Sequence, residues 1–106
     1  MSTRATYQFI SEWGRSHTAY IQDDGYPRGA VEYIEGNCTI EQFIRANEKA
    51  VMTAAHAAHG DTEYRYTIDS ACVIAHRKST NYSTGKDTWI CIFSGPMEAF
   101  AEWCKK

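Results

Sequence analysis

The amino-acid sequence predicts a single α+β domain, residues 1–106, in which three helices pack on one face of an antiparallel five-stranded sheet. Short segments in which apolar and polar residues alternate predict the strands, and apolar residues at helical spacing predict the helices. The predicted order of these segments is ββααβββα, with no repeat or linker between them. A chain of 106 residues has room for one ordinary domain.

Two strands are predicted at the start of the chain, over residues 5–13 and 17–23. In the first of them, Tyr7 and Phe9 fall on the same face because successive side chains of a strand alternate. A short polar break separates the two segments, and strands so close in sequence usually pair with each other. The sequence therefore predicts an antiparallel hairpin.

A first helix is predicted after a tight turn at Asp24 and Gly25. Pro27 is tolerated in the first turn of a helix because its nitrogen would have no intrahelical partner there. Gly36 is a plausible end of this helix, because glycine adopts the left-handed conformation common after a helix C-terminus.

A second helix is predicted over residues 40–48, because Thr39 and Gln42 have the spacing of a capping box. The alanine-rich stretch over residues 50–58 can extend this helix, since alanine has the highest helix propensity.

The second half of the chain predicts three more strands and a last helix. The strands are residues 62–68, 72–77 and 87–93, with a polar loop over residues 79–86. The third of these strands is a nearly continuous apolar run, which is typical of a central strand covered on both sides. Ser94 is the predicted N-cap of the last helix.

Composition excludes several classes of protein. No apolar run reaches the ~18–20 residues of a membrane span, and no charged-then-apolar signal peptide opens the chain. We therefore expect a cytoplasmic protein without a membrane partner. The 11 basic and 13 acidic residues leave a net charge of −2, which argues against a broad nucleic-acid surface. The chain has no leucine but seven tyrosines, which replace leucine in the core, form an interface, or do both on different faces.

The cysteines and histidines suggest no recognisable catalytic set. The cysteines form no C-x-x-C pair, and we predict buried, reduced thiols at Cys38, Cys72, Cys91 and Cys104. His56 and His59, with Asp61 nearby, could hold a metal, but capping or solvent-facing histidines are the favoured interpretation because no H-E-x-x-H pattern occurs. No phosphate-binding glycine loop is present either. The sequence predicts no metal, no cofactor and no enzymatic activity.

Four segments taken together resemble a group of small proteins carried by phages, prophages and other mobile elements. The segments are RATYQF at residues 4–9, YIxxDGYPxGA at residues 20–30, FIRAN at residues 43–47 and HGDTEYRYTI at residues 59–68. The chain departs from this group at Arg28, where such relatives usually carry an acidic residue, and in a shortened stretch over residues 34–38. The resemblance implies a context, because small phage proteins of this size often act against bacterial immune systems, as anti-CRISPR proteins do.

The sequence and the resemblance together predict an anti-CRISPR-like binding protein that occupies a surface of a host defence complex in the bacterial cytoplasm. Acidic side chains would pair with basic residues of a partner that handles nucleic acid, and an aromatic side chain would anchor the contact. The predicted binding residues are Asp24, Tyr26, Arg28, His59, Asp61, Glu63 and Arg65.

Two other functions stay open. A sponge that captures a small nucleotide signal would use Arg65, His59 and tyrosines. A single-stranded nucleic-acid-binding domain would stack bases on the sheet beside Arg65, Arg77 and Lys78, although Glu63 is expected on the same face as Arg65. An exposed sheet edge and a tyrosine-rich surface also favour a homodimer.

Overall fold

The chain folds into a six-stranded mixed sheet and three α-helices in a computed structural model that describes residues 3–37, 39–58 and 60–105, without the side chain of Ala57. The strands are β1 (Ala5–Ile10), β2 (Ser16–Ile21), β3 (Val51–Thr53), β4 (Tyr64–Asp69), β5 (Cys72–Asn81) and β6 (Lys86–Pro96). The helices are α1 (Pro27–Ile34), α2 (Ile40–Ala46) and α3 (Met97–Cys104), with a 3₁₀ turn at His56–Ala58. The predicted α+β class is confirmed.

The strand order is β3-β2-β1-β4-β5-β6, and β1 and β4 run parallel while all other neighbours run antiparallel. The prediction of five antiparallel strands is therefore wrong in strand number and in this central pair. Parallel strands need a long crossover, which α1, α2 and β3 supply here. Tyr7 on β1 lies beside Tyr66 on β4, with ring centroids 5.3 Å apart and planes 14° from parallel.

The core lies between one face of the sheet and the helices. Tyr7 also contacts Phe43 of α2 at 5.0 Å between ring centroids, and Tyr66 contacts Phe100 of α3 at 6.0 Å. All four of these aromatic side chains are fully buried. Tyrosine therefore does fill the core of this leucine-free chain, whereas Tyr26 and Tyr82 are exposed.

The predicted capping box of α2 and the predicted start and end of α1 are confirmed. The Thr39 hydroxyl accepts from the Gln42 backbone N–H at 3.2 Å, and the Gln42 side chain accepts from the Thr39 N–H at 3.3 Å. Pro27 begins α1, and Gly36 follows this helix with a φ of +82°.

The sequence left open whether the alanine-rich stretch extends α2, and in the structure it does not, because α2 ends at Ala46. The Phe43 carbonyl accepts from the Asn47 backbone N–H at 3.0 Å and from the Asn47 side chain at 2.9 Å, and this cap ends the helix. The following residues form β3, in which Val51 lies opposite Tyr20 of β2. Pairing along the β2 edge outweighs the helix propensity of alanine.

The hairpin of β5 and β6 is longer than predicted. Of the predicted loop over residues 79–86, residues 79–81 and 86 are strand and residues 82–85 form the turn, in which the Gly85 N–H donates to the Asn81 carbonyl at 2.7 Å. The apolar run over residues 87–93 lies in an edge strand, not a central one. This strand continues through Ser94, so α3 begins only after Pro96, whose missing N–H is tolerated at the end of an edge strand.

The cysteine prediction is corrected in part. Cys104 is buried, but Cys72 and Cys91 are exposed, and all three are free thiols. Cys91 lies opposite His76 and in line with Arg65, on the face of the sheet that the helices do not cover. Cys38 lies outside the described residues.

Replacing Gly29 with alanine should destabilise the fold. A β-carbon at Gly29 would lie 2.3 Å from the Asp24 carbonyl oxygen, which is backbone and cannot turn away. We expect the free energy of unfolding to fall by about 2–3 kcal/mol, because the strain of overpacking exceeds the gain in helix propensity. Urea unfolding measures this change. Gly60→Ala is the matched control, since no atom lies within 4 Å of its β-carbon. Equal unfolding midpoints for the two variants would contradict the steric argument.

Candidate functional site

Two of the sequence motifs meet beside the start of β1. The Gly25 N–H donates to the Thr3 carbonyl at 2.8 Å, and the Tyr66 hydroxyl donates to the Gly25 carbonyl at 2.6 Å. A β-carbon at Gly25 would lie 2.7 Å from that of Ala5. The glycine and the tyrosine of these motifs therefore have a role in folding, because they join the turn to the central strands.

The predicted binding residues of the turn stay at the surface. Tyr26 is 42% exposed, and its hydroxyl lies 3.5 Å from an Asp24 carboxylate oxygen. Asp24 adopts a φ of +54°, and aspartate is one of the residues that tolerates this left-handed conformation. Arg28 is exposed on the first turn of α1.

The predicted residues of the second motif lie near the same end of β1, since the Glu63 N–H donates to the Arg4 carbonyl at 2.9 Å. Asp61 accepts a hydrogen bond from Tyr20 at 3.0 Å and lies 3.2 Å from Arg4 Nε. Glu63 is exposed, Arg65 is half-buried, and His59 lies outside the described residues. Within the described ranges, no hydrogen bond or ion pair links the Asp24, Tyr26 and Arg28 side chains to those of Asp61, Glu63 and Arg65.

The sheet face opposite the helices, here called the open face, is partly covered by the 3₁₀ turn. His56 Nδ1 lies 2.6 Å from the Thr6 hydroxyl, and His56 Nε2 lies 3.3 Å from the Thr67 hydroxyl. Burial, with smaller contributions from the Arg65 and His76 charges, lowers the pKa of His56 to about 4. The ring is therefore neutral at pH 7, with one nitrogen donating and the other accepting. In the part of the chain that the structure describes, no three His, Cys, Asp or Glu residues form a metal-binding group.

Arg65 lies on the open face beside Trp89 of β6. The guanidinium carbon is 3.9 Å from the indole centroid, and Lys78 Nζ is 5.6 Å from the same ring. Lys78 also donates to the Gly60 carbonyl at 2.8 Å and lies 3.9 Å from Asp87. Arg65 Nε is buried without a hydrogen-bond partner, and burial lowers the pKa of this guanidinium. Arg65 was predicted as a binding residue, but Trp89 was not. Their contact depends on the register of β4 with β5 and of β5 with β6.

A cleft of about 530 Å³ lies at the other end of β1, next to the N-terminus of α2. Trp13 stands beside it with 81% of its surface exposed. Phe9 and Ile40 contribute apolar surface to the cleft, and Glu12 and Glu41 contribute carboxylates. This site is not among the predicted ones, because the first strand was predicted to extend to Trp13. The strand ends at Ile10, and the tryptophan lies in the following turn. The sequence does contain one signal for this site, which is Trp13 itself, an aromatic residue just before the turn at Gly14.

One wall of the cleft has a strained backbone. Ser70 and Ala71 form the turn between β4 and β5 with φ values of +48° and +68°, a conformation that residues other than glycine rarely adopt. The Ala71 carbonyl accepts from the Met97 N–H at 2.8 Å. This hydrogen bond from the first residue of α3 therefore stabilises the turn.

Comparisons with known proteins yield no match to any family model, curated protein or solved structure. The resemblance to phage proteins accordingly stays a prediction. Across residues 3–37, 39–58 and 60–105, no helix has both the length and the apolar character that crossing a bilayer requires.

His56 should make the stability of the protein depend on pH. Its pKa is about 4 in the folded chain, against 6.5 for an unperturbed histidine, so the unfolded chain binds more protons between these values. Stability should therefore fall as pH falls from about 6.5 to 4 and be retained above that window. The full shift corresponds to about 3 kcal/mol, and we expect about 2 because the ring is partly accessible to solvent.

Urea unfolding at several pH values tests this prediction. His56→Gln should flatten the pH dependence in the window, since glutamine keeps hydrogen-bonding groups but does not titrate. His17→Gln is the control, because His17 is exposed, and this variant should keep the slope of the unaltered protein. A His56→Gln profile as steep as that of His17→Gln would contradict the assignment.

Proposed function

We propose that this chain is a small binding protein that inhibits a bacterial defence system by occupying a surface of a host defence complex. The observation that carries the proposal is Trp13, 81% exposed beside the cleft at the end of β1. Tryptophan is among the residues that contribute most to protein interfaces, because it buries a large area and keeps a polar N–H. No recognisable catalytic motif competes with this interpretation in the sequence.

The lining of the cleft suggests the chemistry of the partner. Its described lining includes Glu12 and Glu41 but neither lysine nor arginine. Phe9 and Ile40 would receive an apolar side chain, while the carboxylates would attract flanking lysines or arginines of the partner. Proteins that handle nucleic acid carry such basic surfaces. The resemblance to phage proteins adds the context of host defence.

The turn with Asp24, Tyr26 and Arg28 is a second proposed contact. It follows the C-terminal end of β2, whereas the cleft adjoins the loop that precedes this strand. The two surfaces therefore lie at opposite ends of β2 and can be tested separately. Tyr26 is the exposed anchor of this turn.

Affinity purification from a bacterial host with an active defence system tests both contacts. The bait proteins are the unaltered chain, Trp13→Ala, Tyr26→Ala and Tyr82→Ala. Tyr82 is the control because it is 95% exposed and lies in the distant turn between β5 and β6. We expect the unaltered chain and Tyr82→Ala to recover the same host protein in stoichiometric amount.

Trp13→Ala should weaken that recovery by more than tenfold, as the loss of a central aromatic anchor does. A weaker recovery with Tyr26→Ala would add the turn to the interface. Failure of the unaltered chain to recover a stoichiometric partner, or equal recovery with Trp13→Ala, would overturn the proposal.

We also propose a homodimer formed through β6. This edge strand carries no charged side chain between Thr88 and Pro96, whereas proteins usually protect long edges with charges. Ile90 on this edge is 43% exposed. Light scattering after size exclusion should give the mass of two chains. Ile90→Lys should give one, while Val51→Lys on the opposite edge should leave the dimer intact. A single-chain mass for the unaltered protein at every concentration would refute the dimer.

A further inference from the structure

The Arg65 guanidinium on the open face has no hydrogen-bonding or ion-pair partner in the part of the chain that the structure describes. Its five N–H groups form no hydrogen bond in residues 3–37, 39–58 and 60–105, and no carboxylate oxygen there lies within 4 Å of it. Its Nε atom is nevertheless buried. Burying a charged donor without an acceptor is costly, so native structures usually provide one.

The contact with Trp89 accounts for only part of the interactions that the Arg65 guanidinium can make. The guanidinium carbon lies 3.9 Å from the indole centroid, and this cation–π contact uses none of the N–H groups. Nε is buried, but the two terminal nitrogens are neither buried nor hydrogen-bonded within the described residues. Their N–H groups are therefore accessible for the two parallel hydrogen bonds that arginine makes with a carboxylate or a phosphate.

The surroundings favour a single phosphate group. The neighbouring cations are already neutralised, because Lys78 lies beside Asp87 and Arg4 beside Asp61. Arg65 is thus the cation of these three that has no carboxylate within 4 Å in the described residues, and it is not part of a stripe that could follow a long nucleic-acid backbone. Aromatic surface from Trp89 borders the same position, which suits a phosphate attached to a base.

We propose that Arg65 is the centre of a phosphate-binding site on the open face and that its ligand class is the nucleotide. Trp89 holds the guanidinium in place, and Arg65 binds the phosphate with two hydrogen bonds. The site lies near the start of β1, whereas the cleft with Trp13 lies beyond the end of that strand. This proposal therefore does not depend on the proposed protein partner.

Isothermal titration calorimetry with three probes tests the site: inorganic phosphate, adenosine monophosphate and a short oligothymidylate. The unaltered protein should bind the monophosphate more tightly than inorganic phosphate. Tightest binding of the oligothymidylate, with a steep dependence on salt, would overturn the nucleotide assignment and assign the phosphate to a single strand. Absence of heat with all three probes at millimolar concentration would overturn the site itself.

Variants assign the binding to Arg65. Arg65→Gln should weaken binding at least tenfold, and Arg65→Lys should weaken it less, because lysine keeps the charge but not the paired geometry. Arg45→Gln on α2 is the control and should bind the probe as the unaltered chain does. Circular dichroism checks that each variant is folded. If Arg65→Gln does not fold, Arg65→Lys still tests the role of Arg65 in binding. Undiminished binding by a folded Arg65 variant would refute the proposal.

Discussion

The stacked pair of Tyr7 and Tyr66 holds the centre of this fold together. These two rings join the parallel strands β1 and β4, and each also contacts a phenylalanine from a helix. The Tyr66 hydroxyl, buried with its ring, reaches the Gly25 carbonyl and so connects the sheet to the turn before α1. A chain without leucine thus builds its core from large aromatic side chains. Buried tyrosine hydroxyls usually find hydrogen-bond partners, as that of Tyr66 does, whereas the Tyr7 hydroxyl is buried without one in the part of the chain that the structure describes.

Local signals were sufficient for much of the fold. The capping box at Thr39, the stop at Gly36 and the alternating strands depend on residues only a few positions apart, so the sequence alone predicts them. The predictions that were wrong concern partners distant in sequence. The β3 strand exists because β2 offers it an edge, and β6 lies at an edge because β5 is the only strand it pairs with among the described residues.

For the candidate sites too, the sequence predicts features that depend on nearby residues and misses those that depend on partners distant in sequence. Arg65 stands out in the sequence as an arginine between tyrosines, but its contact with Trp89 requires the pairing of β4 with β5 and of β5 with β6. That second pairing includes an irregularity at Ala75 and His76, which shifts the register and has no clear signal in the sequence. The cleft beside Trp13 likewise depends on where the first strand ends. Alternation alone does not determine that position.

The parallel pairing at the centre of the sheet has a consequence for synthesis of the protein. The hairpin of β1 and β2 leaves the ribosome before β4 exists, and more than forty residues separate Ile21 from Tyr64. Until β4 has been synthesised, β1 has a neighbouring strand on one side only, and its apolar face is incompletely covered. Long-range pairings of this kind slow folding and expose aggregation-prone surface. The nascent chain therefore depends on completion of its second half, or on a chaperone, to protect its first strand.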